Sequence, residues 1–246
     1  MGNPVVHFEI NGTDGPALEK FYAELFGWHV MSMPDMSYGL VDTHGGEGIN
    51  GGISTARDGQ AFVTFYVEGP DIQALLDKAE SLGAKTLVPV TEMPMVTFAL
   101  FADPQGNAIG LVKSDEGEAP GVSPGDGAHV SWFEVLGPEP DPLLAFYTQV
   151  FGWKATRSEM TGDKYFEVEA PDGRGIPGGV GSSPDGAGHV TLYAAVEDLD
   201  KYLERAEALG GKVVMPAMEV SKGTSVAQFA DPQGNVFGLF RHVQAR

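Results

Sequence analysis

Cysteine is absent from the 246 residues, so disulfides, thiolate nucleophiles and thiolate metal ligands are excluded. Any metal ion would have to be held by histidine, aspartate or glutamate. The sequence also lacks a run of about 18 apolar residues and a basic leader followed by an apolar stretch. We therefore expect a cytoplasmic protein without a membrane-spanning segment.

Basic residues are scarce, with 15 Lys and Arg against 34 Asp and Glu, which gives a formal net charge of −19. Such a surface would repel phosphate backbones and anionic lipid headgroups. The composition therefore predicts that neither nucleic acid nor a membrane is a partner.

The sequence contains two copies of one unit, about 125 residues apart. Each copy has a Phe-Tyr pair followed by Phe-Gly-Trp, and later a run Phe-Ala-Asp-Pro-Gln-Gly-Asn. The matching positions are 21–22 and 146–147, 26–28 and 151–153, and 101–107 and 229–235. Residues at equivalent positions of the two copies can therefore be compared directly.

Residues 114–128 hold almost nothing that can be buried, so they predict a linker between a first domain, 1–113, and a second, 129–246. Within each half, the apolar periodicity indicates a strand, a helix and three strands, and this order then recurs. Polar residues predict the helix starts: Asp14, Asp71, Asp141-Pro142 as cap and first turn, and Asp198.

Four strand–helix–three-strand modules of this kind define an α+β fold. One module is too small to bury its own sheet face, so we expect modules to pair into curved mixed sheets with the helices outside. The hollow that such a sheet encloses, here called a cup, is the predicted site. The sequence leaves open whether modules of the same half pair or whether the first pairs with the fourth.

The Leu-Phe-Gly-Trp and Val-Phe-Gly-Trp runs, together with Asp-Pro-Gln-Gly-Asn before each last strand, resemble the vicinal oxygen chelate superfamily. That superfamily includes glyoxalase I, bleomycin-resistance proteins and extradiol dioxygenases. The resemblance covers essentially the whole chain and implies two glyoxalase-like domains. In metal-using members, the ligands come from the first and fourth strands of each module.

Carried over residue by residue, the resemblance implies a degenerate metal site. His7 has the family's spacing to Phe21, and its counterpart in the second half is Trp132. Phe62 and His189 begin the corresponding strands of the second and fourth modules. The final strands carry Gly110 and Gly238 where the family usually has glutamate, and the fourth strands of the odd modules also offer glycine, at 51–52 and 178–179.

A catalytic divalent ion typically takes three protein ligands, so these positions predict no metal cofactor. The alternative arises if the first module pairs with the fourth. His7 and His189 would then share a cup and could hold a divalent ion.

Two glutamates are the candidate catalytic residues. Side chains two apart on a strand face the same way, so Glu9 follows His7 into its cup and Glu134 follows Trp132. Each could act as a general base or accept a hydrogen bond from a ligand. The alternative is a solvated or arginine-paired carboxylate at a cup rim.

Rings and hydroxyl groups at equivalent positions are the candidate ligand-binding residues, and they suit an aromatic or hydrophobic small molecule. The threonines could equally belong to half-buried strands, and His189 to the core with a backbone partner. The set comprises His7, Phe62, Thr64, Tyr66, Trp132, His189, Thr191 and Tyr193.

The leading hypothesis is a glyoxalase- or bleomycin-resistance-like protein that binds a small organic molecule, either to sequester it or to act on it by metal-free acid–base chemistry. The alternative is a metal-dependent lyase, isomerase or dioxygenase that uses His7 and His189. In a third hypothesis, the cups are vestigial and the protein binds another protein. No pattern in the sequence indicates the oligomeric state.

Overall fold

A computed structural model of the protein describes residues 2–56, 59–93, 96–114, 121–158 and 164–242. Its elements follow one another as four strand–helix–three-strand modules, which confirms the predicted α+β class. None of the helices formed by the described residues has the length and apolarity needed to cross a bilayer. The helices are α1 (Gly15–Phe26), α2 (Ile72–Ser81), α3 (Pro140–Phe151) and α4 (Leu199–Ala208).

The strands form two eight-stranded mixed sheets, in the orders β2-β3-β4-β1-β5-β8-β7-β6 and β10-β11-β12-β9-β13-β16-β15-β14. The first sheet consists of β1 (Val5–Gly12), β2 (His29–Met33), β3 (Tyr38–Asp42), β4 (Asn50–Thr55), β5 (Phe62–Glu68), β6 (Lys85–Met93), β7 (Val96–Ala102) and β8 (Ala108–Ser114). The second consists of β9 (Val130–Gly137), β10 (Ala155–Arg157), β11 (Tyr165–Val168), β12 (Gly178–Ser182), β13 (His189–Ala195), β14 (Lys212–Ser221), β15 (Thr224–Ala230) and β16 (Val236–His242).

Each sheet is built from the two modules of one half of the sequence. The first sheet contains β1 to β8 and the second contains β9 to β16. His7 on β1 and His189 on β13 therefore belong to different sheets. The strand order corresponds to the pairing of modules within each half, the first of the two arrangements that the sequence left open.

The chain also divides into two compact units that do not follow the order of the sequence. The first unit comprises residues 1–7, 64–120 and 132–190, and the second comprises 8–63, 121–131 and 191–246. The first unit thus contains α2 and α3, and the second contains α1 and α4. The division into domains 1–113 and 129–246 stays a prediction.

Part of the predicted linker 114–128, residues 115–120, lies outside the described residues. Ser114 is the last residue of β8, and residues 121–128 belong to the second unit. The indole Nε1 of Trp28 donates to the carbonyl of Ala128 at 2.7 Å, and the backbone N–H of Gly127 donates to the carbonyl of His44 at 3.0 Å. These bonds satisfy backbone groups that glycine- and proline-rich sequence cannot pair within a helix or strand.

The predicted caps of α1 and α2 are confirmed, and Asp198, predicted as the first residue of the fourth helix, is the N-cap of α4. Asp14, Asp71 and Asp198 accept hydrogen bonds from backbone N–H groups three residues later, at 3.0, 3.0 and 3.1 Å. The prediction for α3 was wrong, because this helix begins at Pro140 with Glu139 as its N-cap. Proline fixes φ at a helical value and lacks the N–H that a first turn leaves unpaired, so Pro140 starts the helix before Asp141.

In the first unit, the Asp-Pro-Gln-Gly-Asn run is bound to the tyrosine of a Phe-Tyr pair. The hydroxyl of Tyr147 donates to Asp103 Oδ2 at 2.6 Å. Asp103 also accepts from the backbone N–H of Gln105 at 2.8 Å, the backbone N–H of Asn107 at 2.9 Å and Asn107 Nδ2 at 2.8 Å. Burial and the neighbouring Asp103 raise the pKa of Tyr147, so its phenol stays a donor.

The second unit repeats this network with Tyr22, whose hydroxyl donates to Asp231 Oδ2 at 3.1 Å. Trp28 stacks on Tyr22 with ring centroids 5.6 Å apart, as Trp153 stacks on Tyr147 at 5.2 Å in the first unit. The motifs that carry the family resemblance therefore stabilise the core of each unit and do not themselves supply reactive groups.

Candidate functional site

In the first unit, Trp132, Glu134 and Tyr165 form a hydrogen-bonded chain that we call the Glu134 cluster. The indole Nε1 of Trp132 lies 3.3 Å from the hydroxyl of Tyr165, and that hydroxyl donates to Glu134 Oε1 at 2.8 Å. All three residues are partly exposed. A carboxylate, a phenol and an indole thus lie together on β9 and β11.

Glycines on β12 allow this cluster to form. Strand β12 runs parallel to β9, with Gly179 opposite Glu134, and antiparallel to β11, with Gly181 opposite Tyr165. A Cβ atom added at Gly179 would overlap the hydroxyl of Tyr165. The tyrosine therefore crosses β12 over Gly179 and Gly181 and reaches Glu134.

The second unit holds the equivalent Glu9 cluster, formed by Glu9, Asn11, Tyr38 and Ser54. Ser54 Oγ lies 3.4 Å from Glu9 Oε1 and also bonds to Asn11 Oδ1. A Cβ atom at Gly52 would overlap the hydroxyl of Tyr38, so this tyrosine crosses its strand in the same way. Burial, and then the charge of Glu9, raises the pKa of Tyr38 and keeps the phenol protonated.

Tyrosines also cover the glycines of the last strands. In the first unit, the ring of Tyr66 lies against Gly110, and in the second unit the ring of Tyr193 lies against Gly238. Gln228 Nε2 donates to the Tyr193 hydroxyl at 2.8 Å. Each of the four modules therefore places a tyrosine side chain over a glycine at one of the positions that correspond to metal ligands in the family that the sequence resembles.

His7 and Tyr66 meet edge to face, with ring centroids 5.8 Å apart and an interplanar angle of 71°. The His7 side chain retains some accessible surface, yet protein atoms surround the ring closely enough that burial lowers its pKa from 6.5 to about 4. The imidazole is neutral at pH 7.

This lowered pKa predicts a loss of stability in acid. Above pH 6.5, His7 is neutral in both the folded and the unfolded chain, so it does not change the free energy of unfolding with pH. Between pH 6.5 and about 4, only the unfolded chain takes up the proton, so the free energy of unfolding should fall by about 3 kcal/mol. Urea unfolding across this range should show a steeper loss for the natural protein than for His7→Gln. Parallel pH curves for the two proteins would contradict the buried neutral state.

The other predicted ligand-binding residues are placed differently. Thr64 is buried, and its Oγ1 donates to the carbonyl of Ala108 at 2.8 Å, while Thr191 is also buried. Phe62 is partly exposed. His189 is exposed, with Nε2 2.8 Å from Asp185 Oδ1. The structure thus joins Trp132 and Glu134 through Tyr165 and places His7 against Tyr66. It pairs His189 with the loop carboxylate of Asp185.

Sequence reasoning missed Tyr38 and Tyr165, which complete the two glutamate clusters. They lie on the third strand of their modules, at equivalent positions of β3 and β11. Comparison of the two sequence copies would have found this repeated tyrosine. What it would not have shown is that both side chains cross a glycine towards a glutamate.

The first unit has a surface depression of about 320 Å³. Its lining residues include Leu82, Pro104 and Phe146. It shares no lining residue with the Glu134 cluster. We place the candidate site at the glutamate clusters, because a depression without a charged or reactive group offers little chemistry.

In the metal-using members of the superfamily that the sequence resembles, side chains of the first and fourth strands of each module bind the ion. Within the ranges that the structure describes, no group of three or more His, Asp or Glu side chains lies close enough to hold a metal. The ring of Tyr66 covers Gly110 and the ring of Tyr193 covers Gly238, where the family's carboxylates would extend. The described residues therefore do not provide the donor set of a catalytic divalent ion.

Comparison with known proteins agrees with the repeat and the fold. The profile of the glyoxalase/bleomycin resistance protein/dioxygenase superfamily matches residues 5–111 and 128–239. The chain belongs to this superfamily, as the sequence motifs predicted.

Two curated relatives illustrate the similarity. The putative glyoxylase CFP32 of Mycobacterium tuberculosis is 28% identical over 243 residues, which is 95% of this chain and 92% of the relative. The anthracycline biosynthesis protein DnrV of Streptomyces peucetius is 31% identical over 126 residues, 45% of this chain and 46% of the relative.

Solved structures share the fold. The Mn(II)-bound glyoxalase from Novosphingobium aromaticivorans has a TM-score of 0.68 at 17% identity, covering 98% of this chain and 81% of the other. The 2,3-dioxygenase LapB from Pseudomonas sp. KL28 also has a TM-score of 0.68 at 17% identity, covering 98% and 93%. At this identity, the likeness concerns the fold alone.

Proposed function

We propose that the protein binds a small aromatic molecule at the Glu134 cluster, and a second one at the Glu9 cluster, without a chelated metal ion. The observation that carries this proposal is the 2.8 Å hydrogen bond from Tyr165 to Glu134 beside the partly exposed indole of Trp132. Aromatic surface with a few directional polar groups is typical of sites for small organic ligands.

The same pair of groups is suited to proton transfer. A carboxylate can accept a proton from a substrate carbon or hydroxyl, while a phenol donates one to a substrate oxygen. Glu134 and Tyr165 would fill these roles in one site, and Glu9 and Tyr38 in the other. The protein would then act on its ligand by metal-free acid–base chemistry, and if the two groups only bind, it would sequester the ligand.

The similarity to a protein named for anthracycline biosynthesis supports the aromatic class of ligand, because anthracyclines are built on fused rings. The absence of cysteine supports a cytoplasmic protein. The net charge of −19 supports a partner that is neither nucleic acid nor a membrane.

Trp132 offers a direct test of ligand binding. Trp28 and Trp153 are only 3% and 2% exposed, so of the three tryptophans Trp132 is the one that a ligand at the cluster would meet. We expect aromatic ligands to quench its fluorescence, and Trp132→Ala to weaken their binding about fivefold or more through the lost ring contact. Fluorescence and calorimetric titrations would measure the two effects.

Trp132→Phe is the matched control, since it keeps a ring and should retain most of the affinity while losing the fluorescence signal. Equal affinity in the natural protein and Trp132→Ala would contradict binding at this cluster. Stoichiometric metal in protein purified without chelator, lost on His7→Ala, would favour the metal-dependent alternative.

A further inference from the structure

We propose that the ligand of the Glu134 cluster is cationic, an aromatic amine or ammonium compound. This inference rests on the proposed function and specifies its ligand class. It depends on the direction of two hydrogen bonds, on the ring surface beside them and on the charge of the protein.

The hydrogen-bond direction identifies Glu134 as an acceptor. An indole N–H can only donate, so at 3.3 Å Trp132 donates to the oxygen of Tyr165. The phenol has a single proton, and that proton points to Glu134 Oε1 at 2.8 Å. This chain of donors thus ends on the Glu134 carboxylate.

The rings around that charge suit a cation. Trp and Tyr faces attract ammonium groups through their quadrupoles, and tryptophan does so best. Trp28 and Trp153 serve the core instead, since both are buried and donate to the backbone carbonyls of Ala128 and Asn3. Trp132 differs from them in being partly exposed and in pointing its N–H at a side chain of the cluster.

The net charge of the whole protein also favours a cationic ligand. A formal charge of −19 attracts cations and repels anions over distances up to about the Debye length, roughly 10 Å at moderate salt. We assign the preference to the Glu134 cluster alone. In the other copy an imidazole, His7, takes the place of the indole, and Ser54 takes the place of Gly181.

Calorimetric titration with tryptamine and indole-3-ethanol tests the proposal, because the two probes share a ring and differ in an ammonium against a hydroxyl group. We expect tryptamine to bind the natural protein about tenfold more tightly, and added salt to weaken tryptamine alone. Glu134→Gln should weaken tryptamine binding and bring the ratio of the two affinities to about one.

Glu92→Gln is the matched control, since it removes the same charge from an exposed position on β6 of the same unit. This variant should keep the tighter binding of tryptamine over indole-3-ethanol. Equal affinities of the natural protein for the two probes would overturn the cationic class while leaving aromatic binding in place. Failure of both probes to bind would overturn the proposed function with it. If Glu134→Gln does not fold, the two affinities measured on the natural protein still decide whether a cationic ligand is preferred.

Discussion

Asp103→Ala is expected to lower the free energy of unfolding by about 3–5 kcal/mol. The carboxylate accepts from four donors, namely two backbone N–H groups, the Asn107 amide and the Tyr147 hydroxyl. Asp103 and Tyr147 are both buried, so alanine would leave these donors without a partner or water. Urea unfolding followed by circular dichroism would measure the loss.

Tyr147→Phe is the graded control, because it removes one donor and leaves the carboxylate with its other three bonds. We expect this change to cost about 1–2 kcal/mol. The second unit supplies a repeat of the experiment in Asp231→Ala and Tyr22→Phe, since its network has the same donors. A loss below about 1 kcal/mol for Asp103→Ala would show that the network does not stabilise the unit.

Gly110→Ala is expected to destabilise the protein by about 2–3 kcal/mol, because the added methyl group would overlap the ring of Tyr66. The buried ring cannot move aside without disturbing its neighbours, which include His7. Combining Gly110→Ala with Tyr66→Ala should recover about 1–2 kcal/mol relative to the sum of the single changes. Unfolding of the four proteins in this double-mutant cycle gives the coupling.

Gly121→Ala is the matched control, since a Cβ atom there meets no atom of the described residues within 4 Å. This change should leave the free energy of unfolding nearly unchanged. Additive effects of Gly110→Ala and Tyr66→Ala would mean that the ring does not occupy the space above the glycine. Tyr66 would then not exclude a carboxylate from position 110.

Much of the fold was predictable from local sequence. Asp14 and Asp71 cap helices as predicted, and Asp198 caps the helix that was predicted to start at this residue. A side-chain oxygen three residues before a backbone N–H needs no information from elsewhere in the chain. The start of α3 was predicted late because Pro140 and Pro142 are both acceptable in a first turn. Local sequence alone does not determine which of the two prolines starts the helix.

The candidate site was only partly predictable. Alternation along β9 was enough to suggest that Trp132 and Glu134 share a face, and both contact Tyr165. Tyr165 itself was missed because its position depends on the register of β11 and β12 and on its crossing of Gly179. His189 satisfied the same alternation rule, yet its side chain pairs with Asp185 in the preceding loop.

The amino-acid sequence by itself determined the four modules, the caps of α1 and α2, the absence of thiolate chemistry and the loss of the family's carboxylates. These follow from residue identity and short-range periodicity. Only the tertiary structure decided that tyrosines occupy the space over the glycines and that the Phe-Tyr and Asp-Pro-Gln-Gly-Asn motifs bond to each other. The partners are far apart in the chain, 209 residues for Tyr22 and Asp231, so their contact depends on how the modules pack and not on local conformation.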